Sequence, residues 1–422
     1  MKSSSSSSSD RRGRFVREIA AGGAVSEARP EPGGNPLGLI AIIALFALLG
    51  LGSRWWLIFA IGLLISIVLH ELGHFMTARW TGMKVTQFFV GFGPRVWSMH
   101  RGETEYGVRA LPFGAFVRII GMNNLDELDD PGDEPFTYRA QTYPRRLLVI
   151  TAGSLMHLIV AVLLLSVVYT VDGQVVADQP GVYLQAVEPS GPAAQAGLVS
   201  GDVVISIDGV EINEFDELGA TVRAHAPSDV LSFDLRRGGT DLTAKVTVAA
   251  NEQPWSPLYG EPYIGVQLGF DRIDHSPPSA VAHAVIDLGP LSWDMAKGVV
   301  KVLNPVNIVS HLVGANDDLT TRPTTLVGVT GISDDVGESQ GMMGIFYLLA
   351  ILNVFVGIFN MLPLLPLDGG HALIATYERV RERGGQRYHA DVAKAMPIAM
   401  AVMMILALLF IAGLYLDLTS PL

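Results

Sequence analysis

The chain has 422 residues, 49% hydrophobic and 17% charged, with a mean hydropathy of +0.37 and a formal net charge of −12. That balance excludes an ordinary soluble protein, and the apolar residues fall in long blocks, as they do where lipid covers them. The absence of cysteine excludes disulfides, thiolate metal sites and a thiol nucleophile, and no basic patch interleaved with aromatics marks nucleic acid as a partner.

Residues 1–35 hold a serine run, then Arg11, Arg12, Arg14 and Arg17, then a Gly/Pro/Glu-rich stretch, and read as a disordered head. Their length before the first apolar block argues against a cleaved signal peptide. Residues 36–52 form an extra span, short enough that a tilted or re-entrant segment is the alternative. Trp55 and Trp56 open a second span over 55–79, as paired aromatics do at a membrane boundary. Residues 80–146 are a polar loop in which 84–90 and 106–120 read as strands, with glycines at the turns. A third span covers 147–170, and residues 171–270 are soluble in character. Residues 271–340 mix Trp293, Val299, Val300, Leu303 and Ile308 with Lys297 and Lys301, as helices lying on a membrane surface do. Spans at 341–370 and 396–416 enclose a loop at 371–395.

Charge orients these spans. The head, the 80–146 loop (with Arg145 and Arg146 directly before a span) and the 371–395 loop are all rich in Lys and Arg. Residues 171–340 hold 8 basic against 23 acidic residues. Five spans with the head inside place every basic loop in the cytoplasm and the acidic region outside.

At the inner end of the second span, His70-Glu71-Leu72-Gly73-His74 matches H-E-x-x-H. Residues four apart share a helix face, so both imidazoles reach one ion, and two neutral histidine nitrogens suit Zn²⁺. Glu71 then stands beside the metal without ligating it, able to take a proton from water and pass it to the leaving amine. The bland alternative, two histidines at a helix end, is disfavoured because ionisable groups inside a span are costly and functional by default. A tetrahedral ion needs a further protein ligand. Asp368 is the candidate, since the prolines and glycines of Asn360-Met361-Leu362-Pro363-Leu364-Leu365-Pro366-Leu367-Asp368-Gly369-Gly370 break the helix and let a carboxylate turn inward. The histidines lie about 22 Å from the Trp pair at helical rise, and Asp368 ends a span running the same way. Rival ligands are Glu103, Glu105, Asp126 and Glu127, all in polar loops.

These residues resemble the site-2 protease family, in its bacterial branch that cleaves membrane-bound anti-sigma factors. That family pairs an H-E-x-x-H span with a later N-x-x-P-x-x-x-x-D-G motif, matched here from Asn360 through Gly369. The resemblance covers roughly residues 55–420 and implies His70, His74 and Asp368 as zinc ligands, Glu71 as catalytic base and Asn360 as a substrate-positioning residue. Gly91-Phe92-Gly93-Pro94 is similar to the family's membrane-associated β-hairpin, which implies that the segment around Gly91 and Gly93 holds an unwound substrate by strand addition. One departure is Gly153-Ser154-Leu155-Met156-His157, where the family often has Gly-Pro-x-x-Asn; His157 takes the position of a substrate-contacting Asn. Residues 180–250 resemble a PDZ domain, through the Ser190–Gly197 turn and helix and the Gly201-Asp202 and Asp208-Gly209 turns.

The expected fold is a polytopic α-helical membrane protein with an inserted extracytoplasmic PDZ-like α+β domain and a membrane-associated β-hairpin. The expected activity is zinc-dependent hydrolysis within transmembrane segments of single-span proteins already cut on the outer side, in a bacterial plasma membrane. The alternatives are a non-catalytic membrane PDZ scaffold and a membrane zinc protease of quality control, which uses a downstream Glu ligand.

Overall fold

The computed structural model describes residues 36–122, 128, 130–176, 180–251, 259–316, 318–382 and 388–420. The head at 1–35 and the rival ligands Asp126 and Glu127 lie outside that set. The chain forms two compact units, Met1–Val167 with Ser279–Leu422, and Val168–Pro278.

The larger unit begins with α1 (Pro36–Gly52), which is apolar throughout. Ser53 caps the next helix, α2 (Arg54–Trp80): its hydroxyl accepts from the backbone N–H groups of Trp55 and Trp56, donors that a helix start leaves orphaned. The same hydroxyl donates to Asp334. Two long strands follow, β1 (Val85–Arg101) and β2 (Thr104–Ile119), joined through Gly102 at a φ of 66°. Both strands bend. Residues 87–90 pair with 115–118 on one side and with 105–108 on the other, while 95–101 pair with 104–109. The bend in β1 falls at Gly91 and Gly93, with φ of 90° and 81°, and residues 115–119 become one margin of the folded sheet. A third long helix, α3 (Tyr143–Val171), is again apolar.

The second unit is a PDZ-like α+β domain. In chain order it holds β3 (Gln174–Val175), β4 (Val182–Val187), the short α4 (Pro192–Gln195), β5 (Val203–Ile207), β6 (Val210–Glu211), α5 (Phe215–Arg223), β7 (Val230–Arg237) and β8 (Thr240–Thr247). It closes with β9 (Ala249–Ala250), β10 (Pro262–Tyr263), β11 (Val266–Gly269) and β12 (Arg272–Ile273). The main sheet runs β11-β4-β5-β7-β8, with β6 paired to β5. Val182 and Leu184, Phe233 and Leu235 follow the period of two and share one core with Leu218 and Val222 of α5; Val204 and Ile207 join it three positions apart because the β5–β7 register shifts between Val204 and Ser206. A reciprocal capping box between Glu214 and Glu217 starts α5.

The chain returns to the larger unit through α6 (Pro277–Val302) and α7 (Pro305–Leu312), then α8 (Leu326–Asn360), α9 (Asp368–Arg381) and α10 (Met396–Thr419). The helix α8 is broken at Gly341, with φ 65° and ψ −148°, where the polar run containing Asp334, Asp335 and Glu338 gives way to an apolar one. Its start is tied to the end of α10 by Asp417, whose carboxylate accepts from the Thr325 backbone N–H at 2.8 Å, the Thr325 hydroxyl at 2.7 Å and the Gly328 N–H at 3.1 Å. Among the described residues, α2, α3, α8 and α10 are long and apolar enough to cross a membrane, while α1 is shorter. The protein is thus a polytopic helical membrane protein. Two cores position the interior ends of these helices: Trp55 and Phe59 of α2 pack on Ile345 and Leu349 of α8. At the other end Phe75 and Ala78 of α2, Val85, Ile119, Tyr138, Val149, Ile150 and Ala372 form one cluster.

Candidate active site

His70 and His74 are one turn apart on α2, both buried, with their Nε2 atoms 3.1 Å apart. Asp368, the first residue of α9, brings Oδ2 to 3.4 Å from His70 Nε2 and 3.3 Å from His74 Nε2. The three side chains form the group of His, Asp or Glu that could hold a metal ion among the described residues. Ligand atoms about 2.0–2.1 Å from a tetrahedral zinc lie about 3.3–3.4 Å from one another, so the spacing fits that ion. Hydrogen bonding explains the spacing less well, because a charge-assisted N–H···O bond is about 2.7–2.9 Å long. The Nδ1 of His74 lies 2.7 Å from the carbonyl oxygen of Val149. A carbonyl only accepts, so Nδ1 carries the proton and a neutral ring turns its Nε2 lone pair toward Asp368. The Asp368 Oδ2 is itself buried with no hydrogen-bond partner. Lone pairs converging from three groups in a buried space are what a cation would satisfy.

Small residues allow this convergence. A Cβ on Gly73 would lie 2.7 Å from the carbonyl oxygen of Ala152 and 2.7 Å from Met156 Cγ, so glycine there lets α2 and α3 meet closely. A Cβ on Gly153 would press into the rings of both His70 and His74. A Cβ on Gly370 would lie 2.6 Å from the Leu365 backbone nitrogen, and one on Gly369 would collide with the carbonyls of Met361 and Leu362. The Asp-Gly-Gly start of α9 therefore folds tightly back on the segment that follows α8, which contains a cis Leu365–Pro366 bond.

A cavity of about 190 Å³ opens beside the cluster, lined by His70, Glu71, His74 and Asp368 and by Phe92, Phe116 and Val117 of the hairpin. The backbone N–H of Val117 acts on the Glu71 carboxylate, linking the sheet margin to the residue next to the first histidine. Of the sequence candidates, His70, Glu71, His74 and Asp368 share this cavity, Gly91 and Gly93 flank its lining residue Phe92, and His157 and Asn360 are not among its lining residues. His157 is buried behind His70, with ring centroids 4.9 Å apart, and Asn360 is the half-buried last residue of α8. The rival Glu105 is instead paired with Arg95 at 2.8 Å within the hairpin.

A family model described as peptidase family M50 matches residues 58–406. The chain belongs to peptidase family M50, the site-2 proteases. The zinc metalloprotease Rip1 of Mycobacterium tuberculosis is 33% identical over 350 residues, covering 77% of this chain and 85% of that protein. The zinc metalloprotease Rip1 of Mycolicibacterium smegmatis is 30% identical over 397 residues, covering 86% of this chain and 97% of that protein. Among solved structures, the PDZ domain of the SdrC-like protein from Listeria monocytogenes is similar over 22% of this chain and 90% of that chain, with 25% identity and a TM-score of 0.19. The M50 chain is thus a membrane zinc metalloprotease, with Zn²⁺ as its cofactor.

Some groups around the M50 site escape the sequence patterns. His371 lines the cavity three positions after Asp368 on α9, a spacing that puts both on one face. Ser66 and Asn353, buried polar residues in otherwise apolar helices, carried a readable signal, since such residues inside a span need partners. The Val149 carbonyl carries none, because a backbone acceptor is present at every position.

Proposed function

We propose that the chain is an intramembrane zinc endopeptidase that hydrolyses peptide bonds within the transmembrane segments of single-span proteins. His70, His74 and Asp368 are its zinc ligands and Glu71 its general base. The observation that carries this reading is the convergence of His70 Nε2, His74 Nε2 and Asp368 Oδ2 within 3.1–3.4 Å of one another, beside a cavity shared with Glu71. Zinc, when bound, supplies a Lewis acid that polarises a carbonyl and makes water a competent nucleophile near neutral pH. Glu71 takes the proton from that water and delivers it to the nitrogen of the leaving amine. Val117 holds the Glu71 carboxylate through its backbone N–H, and Val149 holds His74 in the tautomer that leaves Nε2 free to ligate.

A helical substrate resists cleavage because its carbonyls are tied up in intrahelical bonds. The sheet margin at 115–119 beside the cavity offers an edge on which an unwound segment adds as a strand. Gly91 and Gly93 set the bend that brings Phe92 to the cavity, and Asn360 orients the substrate near the Asp-Gly turn. The basic loops lie in the cytoplasm, with the N-terminus, and the PDZ-like domain lies outside a bacterial plasma membrane. That domain admits substrates, such as anti-sigma factors, already shortened on the outer side. On α6, exposed Ile286, Trp293 and Val300 recur every seven residues along one stripe, which rests on the membrane surface.

The test is Glu71→Gln in the full-length protein. Zinc stays bound, cleavage stops, and uncut single-span proteins co-purify and are identified by mass spectrometry. Cleavage that persists in this variant overturns Glu71 as the base.

A further inference from the structure

The two histidines of the cluster are held differently. His74 is oriented by a backbone carbonyl on its Nδ1. The Nδ1 of His70 is buried and makes no well-aligned hydrogen bond, although the Gly153 carbonyl acts on the ring as an acceptor. A metal-binding imidazole ordinarily gives its second nitrogen to an acceptor that sets the ring plane and the tautomer. For His70 that device is only the poorly aligned Gly153 carbonyl, and its orientation rests largely on what its ring packs against, which includes Gly153 and the imidazole of His157.

His157 is firmly anchored. Its Nδ1 lies 2.8 Å from Asn353 Oδ1. Asn353 Nδ2 donates to the Leu349 carbonyl at 2.8 Å and to the Ser66 hydroxyl at 3.0 Å. Ser66 in turn donates to the Gly62 carbonyl at 3.0 Å. The Leu349 carbonyl can only accept, so the Asn353 nitrogen must face it and the amide oxygen must face His157. The proton of the neutral His157 ring therefore sits on Nδ1. His157, Asn353 and Ser66 are 2%, 1% and 3% exposed and come from α3, α8 and α2. A hydrogen-bonded chain across three apolar helices is costly unless its polar atoms are engaged; here those of Asn353 and Ser66 all are, and the chain ends on a ring 4.9 Å from that of His70, tilted by 43°.

We propose that His157, locked by Asn353 and Ser66, is the positioning residue for His70, fixing an imidazole plane that no well-aligned hydrogen bond sets. The inference rests on the reading of His70 as a zinc ligand. It gives His157 a role on the metal side of the site. A ring so deeply buried, with its Nδ1 engaged, has little surface to offer a substrate, and His157 lies outside the group of side chains able to share the ion. Asn353 and Ser66 act through His157.

The experiment uses full-length protein in detergent, loaded with Co²⁺, whose visible absorption reports coordination geometry. The variants are His157→Phe, which keeps a ring but loses the bond to Asn353, and Asn353→Leu, which keeps His157 but frees it. Both are expected to shift the Co²⁺ spectrum and to speed metal loss to a chelator by about 10–100-fold, the size of effect seen for outer groups of metal sites. The double variant should be no worse than His157→Phe, since the two residues act in series. Lowered thermal stability with an unchanged spectrum and unchanged metal loss in both variants would mean that the chain is only a helix fastener, and would overturn the proposal. His70→Ala separates this failure from that of the underlying reading. If His70→Ala keeps a wild-type spectrum, His70 is not a ligand and both ideas fall. If it loses the spectrum while the other two variants keep theirs, only the positioning role falls.

Discussion

Gly153 faces the imidazole of His70 so closely that a Cβ at that position would lie 2.5 Å from Cε1 and 2.7 Å from Nδ1 of the ring. Those atoms belong to a buried ring at a close helix crossing, and the space next to it is the cavity that the ring lines. Alanine is otherwise the better helix residue, so Gly153→Ala should leave the helix intact and displace the ring. The expected result is a zinc affinity lowered by about 10–100-fold, read by chelator competition. Wild-type affinity in this variant would show that the two helices do not meet as closely as described.

The hairpin bend offers a paired test. At Gly91 the backbone has φ 90°, and a Cβ would lie 2.6 Å from the Leu111 carbonyl oxygen. At Gly93, with φ 81°, the nearest atom to a Cβ is the Leu111 Cδ1 at 3.6 Å. Both alanine variants carry the backbone strain of a positive φ, about 1–2 kcal/mol, but only Gly91→Ala adds a clash with a backbone atom. Gly91→Ala should therefore reduce kcat/KM more than Gly93→Ala, through displacement of Phe92 from the cavity. Equal effects would remove the bend from the account of substrate binding.

Arg146 and Glu378 form a buried ion pair with Nη2 and Oε2 2.7 Å apart. The other Glu378 oxygen accepts from the Ala390 backbone N–H at 2.6 Å, so one carboxylate joins α3, α9 and the segment before α10. Glu378→Ala strands a buried guanidinium and should destabilise the fold by about 3–5 kcal/mol, seen as a lower thermal midpoint. Replacing both residues by apolar ones, Arg146→Met with Glu378→Leu, should recover much of that loss. A double variant as unstable as the single one would locate the effect in lost packing instead.

Much of this arrangement was readable from the sequence, and the unread part has a physical pattern. The four-residue spacing of His70 and His74 is a local helical signal, and the prolines and glycines around Asp368 announce a break in an apolar run. Pairings between distant segments leave no such trace. His157 and Asn353 are 196 positions apart, and nothing in either neighbourhood names the other. Alternation in the hairpin identifies strand faces but not neighbours, so the pairing of residues 87–90 with two different stretches of β2 is invisible to it. Hydropathy detects the polar residues before Gly341 and the apolar ones after it, but not that α8 runs through both with a break between them.

The PDZ-like domain has its own pH response. The Asp202 side chain is fully buried, and that burial acts to raise its pKa. The bond from Arg237, with Nε 2.6 Å and Nη2 2.8 Å from its oxygens, the Val199 backbone N–H at 2.9 Å and the Arg237 charge outweigh burial and hold it below the ordinary carboxylate range. A depressed folded pKa contributes stability that is present above the unfolded value, about 3.9, and is lost as pH falls from there through the folded value. Hydrogen exchange of residues 180–250 should thus accelerate as pH drops below about 4, after correction for intrinsic exchange. Asp202→Asn should already exchange faster at neutral pH and lose less on acidification. An identical acid response in the variant would assign the transition to other carboxylates.

The central claim is a single zinc shared by an early helix and a late turn. Its most direct test is the zinc content of purified Asp368→Ala protein, by elemental mass spectrometry after dialysis against a zinc buffer, beside the wild type. The wild type should retain about one zinc per chain and the variant far less at the same free zinc. A variant that holds zinc as fully and as tightly as the wild type would contradict the claim, and the carboxylate ligand would have to be sought elsewhere.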